Sequence, residues 1–210
     1  MRHPNCQSFD EGLTVKASRD DYESPYFKEH EVEQILAAAR EPYLTLFKIA
    51  WYTGLRGGEI LGLTAKDIDF DRRVITPRKQ ADDRTRKLRE LKTKGSKSPV
   101  AMHLKLEEAL RAFLRDHWRP SDTGLLFLNR RQIAQAVVRR VLKPNLKRLG
   151  MKTERVGLHT FRHGLGTALC ERKANPATVQ RILRHSDIRT TPKYYVHSDL
   201  DARRQALNQL

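Results

Sequence analysis

Two blocks of helically spaced apolar residues flank a short β-prone stretch. This layout confines the chain to a mainly α fold with a small antiparallel β-sheet, an α+β class. In the first block Val32, Ile35, Leu36 and Ala39 recur at the helical period, among Glu29, Glu31 and Glu33, which favour a helix N-terminus. A second helix is expected after Pro42, with Leu44, Phe47, Ile49, Ala50 and Trp51 on a broad apolar face, stopping at Gly54. A short helix around Glu59-Ile60-Leu61 comes next. In the second block Leu106, Leu110 and Leu114 mark a helix over 104–117. A longer one over 131–149 ends at Gly150, and Pro144 inside it predicts a kink or break. A further helix is predicted from Thr160 through 169. Asn175-Pro176 supplies an N-cap and a first-turn proline for one through 183. Ser198 with Asp201 is similar to a capping box for a final helix to about residue 210. Between the blocks Val74-Ile75-Thr76 is β-prone, and 88–94 with 98–102 read as a hairpin closed at Gly95-Ser96.

Charge narrows the partner. Lys and Arg number 41 against 25 Asp and Glu, a net +16 that suits a polyanion, because cationic side chains on phosphates release condensed counterions. Half of that excess lies between Arg72 and Lys97, where eleven basic residues face three acidic ones. A charged strand pair laid against DNA is the preferred reading of that density, with a solvated charged loop as the alternative. Residues 1–26 show no sustained period and read as an N-terminal arm or linker remnant before one domain over 27–210. No apolar run approaches the roughly 18–20 residues that span a bilayer, and the N-terminus has no signal-peptide core. Cys6 and Cys170 match no zinc spacing and read as free thiols of a cytoplasmic protein.

A metal-free attack on a phosphodiester needs an in-line nucleophile, cations on the non-bridging oxygens and a proton for the leaving 5′ oxygen. Arginine meets the second need with a planar, permanently charged fork. Histidine or lysine moves protons near neutral pH, and tyrosine is a nucleophile once the site helps to deprotonate it. The chain holds such a set. Thr53-Gly54-Leu55-Arg56-Gly57-Gly58-Glu59 puts an arginine between two helices, and Leu158-His159-Thr160-Phe161-Arg162-His163 puts His159 and Arg162 on one helical face. Leu183-Arg184-His185 and Thr190-Thr191-Pro192-Lys193-Tyr194 complete it, at intervals of three, twenty-three and nine residues between His159, Arg162, His185 and Tyr194. His159 and His163 are four apart but lack the glutamate of a zinc-protease helix, so metal binding is not expected.

In order and spacing these motifs resemble the tyrosine recombinases, also called the phage integrase family. The resemblance covers about residues 27–210, which matches that family's catalytic domain. It implies that Arg56 and Arg162 clamp the scissile phosphate and that His159 and His185 contact phosphate and handle protons. Tyr194 is similar in position to the nucleophile that forms a 3′-phosphotyrosyl link; Tyr195 takes that role if the loop carries an extra residue. Glu59 matches a carboxylate that supports the first arginine. The family carries a general-acid lysine on a β-hairpin, and Lys92-Thr93-Lys94-Gly95-Ser96-Lys97 is similar to that pattern. The Lys-Thr pair favours Lys92, while Lys94 shares its strand face and stays open. The implied partners are double-stranded DNA and further copies of the chain in a synaptic tetramer, with no membrane, metal, ATP or small-molecule cofactor. Two departures stand out. Arg184 occupies a position where the family often has glycine. The separate helical DNA-binding domain common in the family cannot come from residues 1–26, so this is either a truncated chain or one of the short members.

Two other functions compete with a site-specific recombinase or integrase. A DNA-binding remnant or regulator that no longer cuts would not need the complete set of Arg, Lys, His, Arg, His and Tyr. A metal-dependent nuclease would need clustered carboxylates, which the chain lacks.

Overall fold

Helix α2 (Tyr43–Thr53) and helix α7 (Leu158–Glu171) cross at the centre of the core, where Phe47 and Phe161 are fully buried and stack at 5.4 Å. Phe27 meets the Phe161 ring edge-on at 4.9 Å. Each such ring stabilises the fold by about 1.5–3 kcal/mol through burial, and the aromatic pairing adds about 0.5–1.5 kcal/mol. The computed structural model describes residues 24–85, 87–93, 95–127 and 134–184. Lys94, His185, Tyr194, Tyr195, the helix expected after Ser198 and the arm up to residue 23 lie outside the described residues.

Local chemistry explains the helix limits. Helix α1 (Glu29–Ala38) starts where the Glu31 carboxylate accepts from the Lys28 backbone N–H at 2.8 Å, and it buries Val32 and Ile35. Helix α2 stops at Gly54, whose φ of 62° is a left-handed cap that side-chain-bearing residues resist. Helix α3 (Gly57–Leu61) follows at once. Helix α4 (Leu104–Asp116) buries Leu106 and Leu110 as expected, with Phe113 completing the face and Leu114 only half-buried beside it. The helix expected over 131–149 is broken. After α5 (Ala134–Val137) comes a widened π turn, Val138–Leu142, before α6 (Lys143–Arg148). Pro144 lacks an N–H and its ring crowds the carbonyl four residues back; the wider turn relieves both problems. Helix α7 begins two residues before Thr160, because the Thr160 hydroxyl accepts from the Gly157 N–H at 3.0 Å and so serves from inside the first turn. Helix α8 (Pro176–Leu183) matches its expected cap, with Asn175 Oδ1 accepting from Ala177 N at 2.9 Å. No helix among the described residues is long and apolar enough to cross a membrane.

Strand pairing departs from the expected hairpin over 88–102. Strands β1 (Ile68–Asp69), β2 (Val74–Ile75) and β5 (Val100–Ala101) form one antiparallel sheet with β2 in the middle, Ile68 opposite Ile75 and Val74 opposite Ala101. Strand β4 (Leu88–Glu90) pairs instead with β3 (Lys79–Ala81), Lys79 opposite Glu90. The turn between β3 and β4 is made at Asp82, whose Oδ1 accepts from the N–H groups of Arg84 and Thr85 at 2.9 and 3.0 Å. Asp83 in the same turn accepts from Ala134 N at 2.7 Å, which docks the hairpin on the start of α5. Thr93 and residues 95–98 then bond among themselves rather than closing a strand turn, with Thr93 Oγ1 donating to Ser96 Oγ at 2.9 Å and the Ser98 hydroxyl to the Gly95 carbonyl at 2.7 Å.

Gly54 has two reasons to be glycine, since a Cβ there would also lie 3.0 Å from Leu183 Cδ2. Gly150, at φ 70°, has open space around it. Gly150→Ala is expected to cost about 1 kcal/mol from its backbone alone. Gly54→Ala should cost about 2–3 kcal/mol, the difference being the clash with α8. Urea denaturation of both variants tests this; equal losses would mean that α8 yields freely at Leu183.

Candidate active site

Arg56 occupies the N-cap of α3, and Glu59 fixes it twice. The carboxylate accepts from the Arg56 backbone N–H at 2.9 Å and from its Nη1 at 3.1 Å. The Arg56 side chain remains 50% exposed, so its fork reaches solvent while its base is held; Glu59 is 1% exposed. A buried carboxylate is tolerable only when paired, and a second guanidinium completes the pairing. Arg184 Nη2 donates to Glu59 Oε2 from the end of α8.

Arg162 lies on the fifth residue of α7 and is buried. Its Nη1 donates to the Gly54 carbonyl at 2.5 Å and its Nη2 to the Leu183 carbonyl. These oxygens end α2 and α8, where helix carbonyls lack intrahelical partners and carry partial negative charge. One guanidinium therefore ties together the loop that carries Arg56 and the helix end that precedes His185. This joining role was not anticipated from sequence. The signal for it was indirect, a glycine C-cap and a helix end lying in the same motifs as the expected site residues.

His159 stands one turn before Arg162, exposed at the rim. Its ring folds back over Gly157, where a Cβ would come within 2.8 Å of Nδ1. The His163 ring meets it edge-on at 5.8 Å. Desolvation lowers the His159 imidazole below its ordinary value; for His163, desolvation is followed by the nearby His159 and Arg162 charges. Both shifts favour the neutral imidazole. Among the described residues no three His, Cys, Asp or Glu side chains gather as a metal site.

Lys92 is exposed and follows buried Leu91, whose N–H donates to the Arg78 carbonyl at 2.9 Å. The loop after it is stitched internally. Ser96 N donates to Thr93 Oγ1 at 3.1 Å, and the Ser96 hydroxyl to the Thr93 carbonyl at 2.8 Å. Arg184 Nη1 donates to the Ser96 carbonyl at 2.6 Å, which ties this loop to Glu59 and Arg56. Of the six expected site residues, Arg56, Lys92, His159 and Arg162 are described, and all four sit on segments joined at this junction. Arg184, noted from sequence only as a departure, is the residue that the expected set left out.

A sequence model of the Phage integrase family matches residues 25–201. The chain belongs to the phage integrase family. It is 30% identical over 158 residues to tyrosine recombinase XerC of Thermodesulfovibrio yellowstonii, covering 74% of this chain and 50% of that protein. It is 28% identical to the transposase of transposon Tn916 from Enterococcus faecalis, over 93% of this chain and 54% of the relative. The chain spans about half the length of these curated relatives. Among solved structures, the Tn1549 transposon integrase in complex with a circular intermediate DNA superposes with a TM-score of 0.74 at 26% identity, covering 91% of this chain and 67% of that one. The XerH site-specific recombinase bound to palindromic difH substrate shares the fold at a TM-score of 0.65 and 22% identity, over 92% of this chain and 55% of that one. Its mainly helical body with small antiparallel sheets is thus a tyrosine recombinase catalytic-domain fold.

Two outcomes follow from this geometry. Arg162→Ala strands two helix-end carbonyls and is expected to cost about 2–4 kcal/mol of stability, read by urea denaturation; a loss below about 0.5 kcal/mol would deny Arg162 its joining role. The histidines give a pH signature. Their folded values lie below the ordinary 6.5, so the unfolded chain takes up protons first as pH falls. Stability is therefore full above about pH 6.5 and declines as pH drops from there through the lower folded values. His159→Gln should make that decline shallower in denaturation curves taken from pH 7.5 to 5, and an unchanged slope would show that the imidazole is not desolvated.

Proposed function

We propose that this chain is a site-specific DNA recombinase or integrase that cuts and rejoins strands through a 3′-phosphotyrosyl intermediate on Tyr194. The Tyr194 phenolic oxygen attacks the scissile phosphorus as the bond to the 5′ oxygen breaks, and the electron pair leaves with that oxygen. Lys92 supplies its proton. Arg56 and Arg162 hold the non-bridging oxygens and offset the charge that builds in the pentavalent transition state. His159 and His185 contact the phosphate and receive the phenolic proton. One phosphoester replaces another, so a 5′ hydroxyl from a second strand reverses the step without ATP or metal. Residues 27–210 act as the catalytic domain, on double-stranded DNA in the cytoplasm, with several copies assembled in a synaptic tetramer.

The observation that carries this reading is the bonding of Arg162 to the Gly54 and Leu183 carbonyls. It draws the Arg56 loop and the helix end leading to His185 against one guanidinium, as a site for a single phosphate requires. The exposed Arg56 fork and the net +16 charge also support it.

The test is a nicked suicide duplex drawn from DNA flanking the chain's own coding sequence, run on a denaturing gel with EDTA present. A protein–DNA band that resists EDTA and vanishes in Tyr194→Phe is expected. A band lost in Tyr195→Phe but kept in Tyr194→Phe moves the nucleophile by one residue. Duplex binding without any covalent band favours the non-cleaving remnant, and EDTA-sensitive cutting favours a metal-dependent nuclease.

A further inference from the structure

Arg184 is in a costly place. Its backbone sits at φ 51° and ψ 44°, the left-handed region where a side chain is opposed by the carbonyl that follows. Glycine takes that conformation freely, and Arg184 does not. Its side chain is 2% exposed, and burial pulls the guanidinium below its ordinary value, with Glu59 opposing that shift and Arg56 adding to it. Among the described residues Nε has no hydrogen-bond partner. A long cation held in this way needs strong contacts, and it makes two. Nη2 donates to Glu59, the carboxylate that fixes Arg56, and Nη1 donates to the Ser96 carbonyl at 2.6 Å.

These two bonds join parts with no other polar link among the contacts described above. On one side is the Arg56–Glu59 pair at the start of α3. On the other is the Thr93–Ser96 bonded pair, which follows directly on Lys92. Thr93, Gly95 and Lys97 are exposed, and the preceding strand β4 pairs away from them with β3. Arg184 directs both Nη groups at protein acceptors, Glu59 and the Ser96 carbonyl. Its reach is inward and sideways.

We propose that Arg184 is a positioning residue that sets the Lys92 loop against the Arg56–Glu59 pair, so that one buried guanidinium fixes the distance between proton donor and phosphate clamp. This rests on the reading of Lys92 as the general acid and Arg56 as a phosphate ligand. The coupling is specific to a chain with arginine here, since a glycine would leave the loop and α3 to find their spacing independently. Arg184→Gly removes the tether and relieves the positive φ while Glu59 keeps Arg56 as its partner, and a urea denaturation curve of the variant accompanies the kinetics. Arg184→Lys keeps a charge but cannot donate to both partners from a single fixed fork.

The experiment is single-turnover cleavage by the full chain on two versions of one suicide duplex. One carries the natural phosphodiester, the other a sulfur in place of the bridging 5′ oxygen. A thiolate leaves without being protonated, so the second substrate removes the need for the lysine proton. Lys92→Ala should slow the natural substrate by about 100-fold and regain most of that loss on the sulfur substrate. Arg184→Gly should slow the natural substrate by about tenfold, again regained on sulfur, and Arg184→Lys should fall between Arg184→Gly and the parent chain. Arg184→Gly within twofold of the parent on the natural duplex overturns the proposal, as does an equal loss on both substrates. If Lys92→Ala itself shows no loss or no rescue, the assignment of the general acid fails first. If Lys92→Ala is rescued and Arg184→Gly is not, the positioning role alone is lost.

Discussion

The guanidinium of Arg162 lies where two helices run out of hydrogen-bond partners. The Gly54 carbonyl at the cap of α2 and the Leu183 carbonyl at the end of α8 are buried and partly negative, and without a donor each would cost about 1–3 kcal/mol. Arginine is the side chain that can meet both, because its planar fork offers parallel donors and its charge survives burial. Once that bridge is made, the rest of the arrangement is constrained. Gly54 is pinned beside Leu183, the chain after Gly54 turns at once into α3, and Arg56 is left half-exposed two residues from the bridge. The crossing of α2 and α7 through Phe47 and Phe161 supplies the rigidity behind it.

Glu59 extends the same logic outward. A carboxylate 1% exposed would be untenable alone, yet it is shared between Arg56, which faces solvent, and Arg184, which does not. The asymmetry matters. The buried partner holds the carboxylate still, and the exposed one is left with donors for an anion. Charge that would otherwise repel among three arginines is offset by one glutamate and by helix-end carbonyls. Three arginines are thereby gathered in a protein that already carries a large positive excess.

Much of this was legible in the residues. Asn175-Pro176 announced the start of α8, Gly54 the end of α2 and Pro144 the break before α6, because caps and breakers act within one turn of themselves. The order and intervals of Arg56, His159, Arg162, His185 and Tyr194 carried the resemblance to the phage integrase family, and the family match covers the same span. The strand partners of Leu88–Glu90 and Val100–Ala101 were misread. A tight Gly-Ser turn between two β-prone runs is a local signal, and it lost to the Asp82 turn and to the buried strand Val74–Ile75. Arg184 was legible only as an oddity, since nothing near it in the chain says that a carboxylate lies 125 residues away.

The division has a physical cause. Helix periods, caps and the inventory of arginines, histidines and tyrosines depend on neighbours within a few residues, and the sequence by itself determined them. Which carbonyls Arg162 bridges, one 108 and the other 21 residues distant, depends on how the whole core closes. So does the tether from Arg184 to Ser96, 88 residues back. Directional bonds between distant segments form only after packing has brought their donors and acceptors within about 3 Å, and that was decided by the tertiary structure alone.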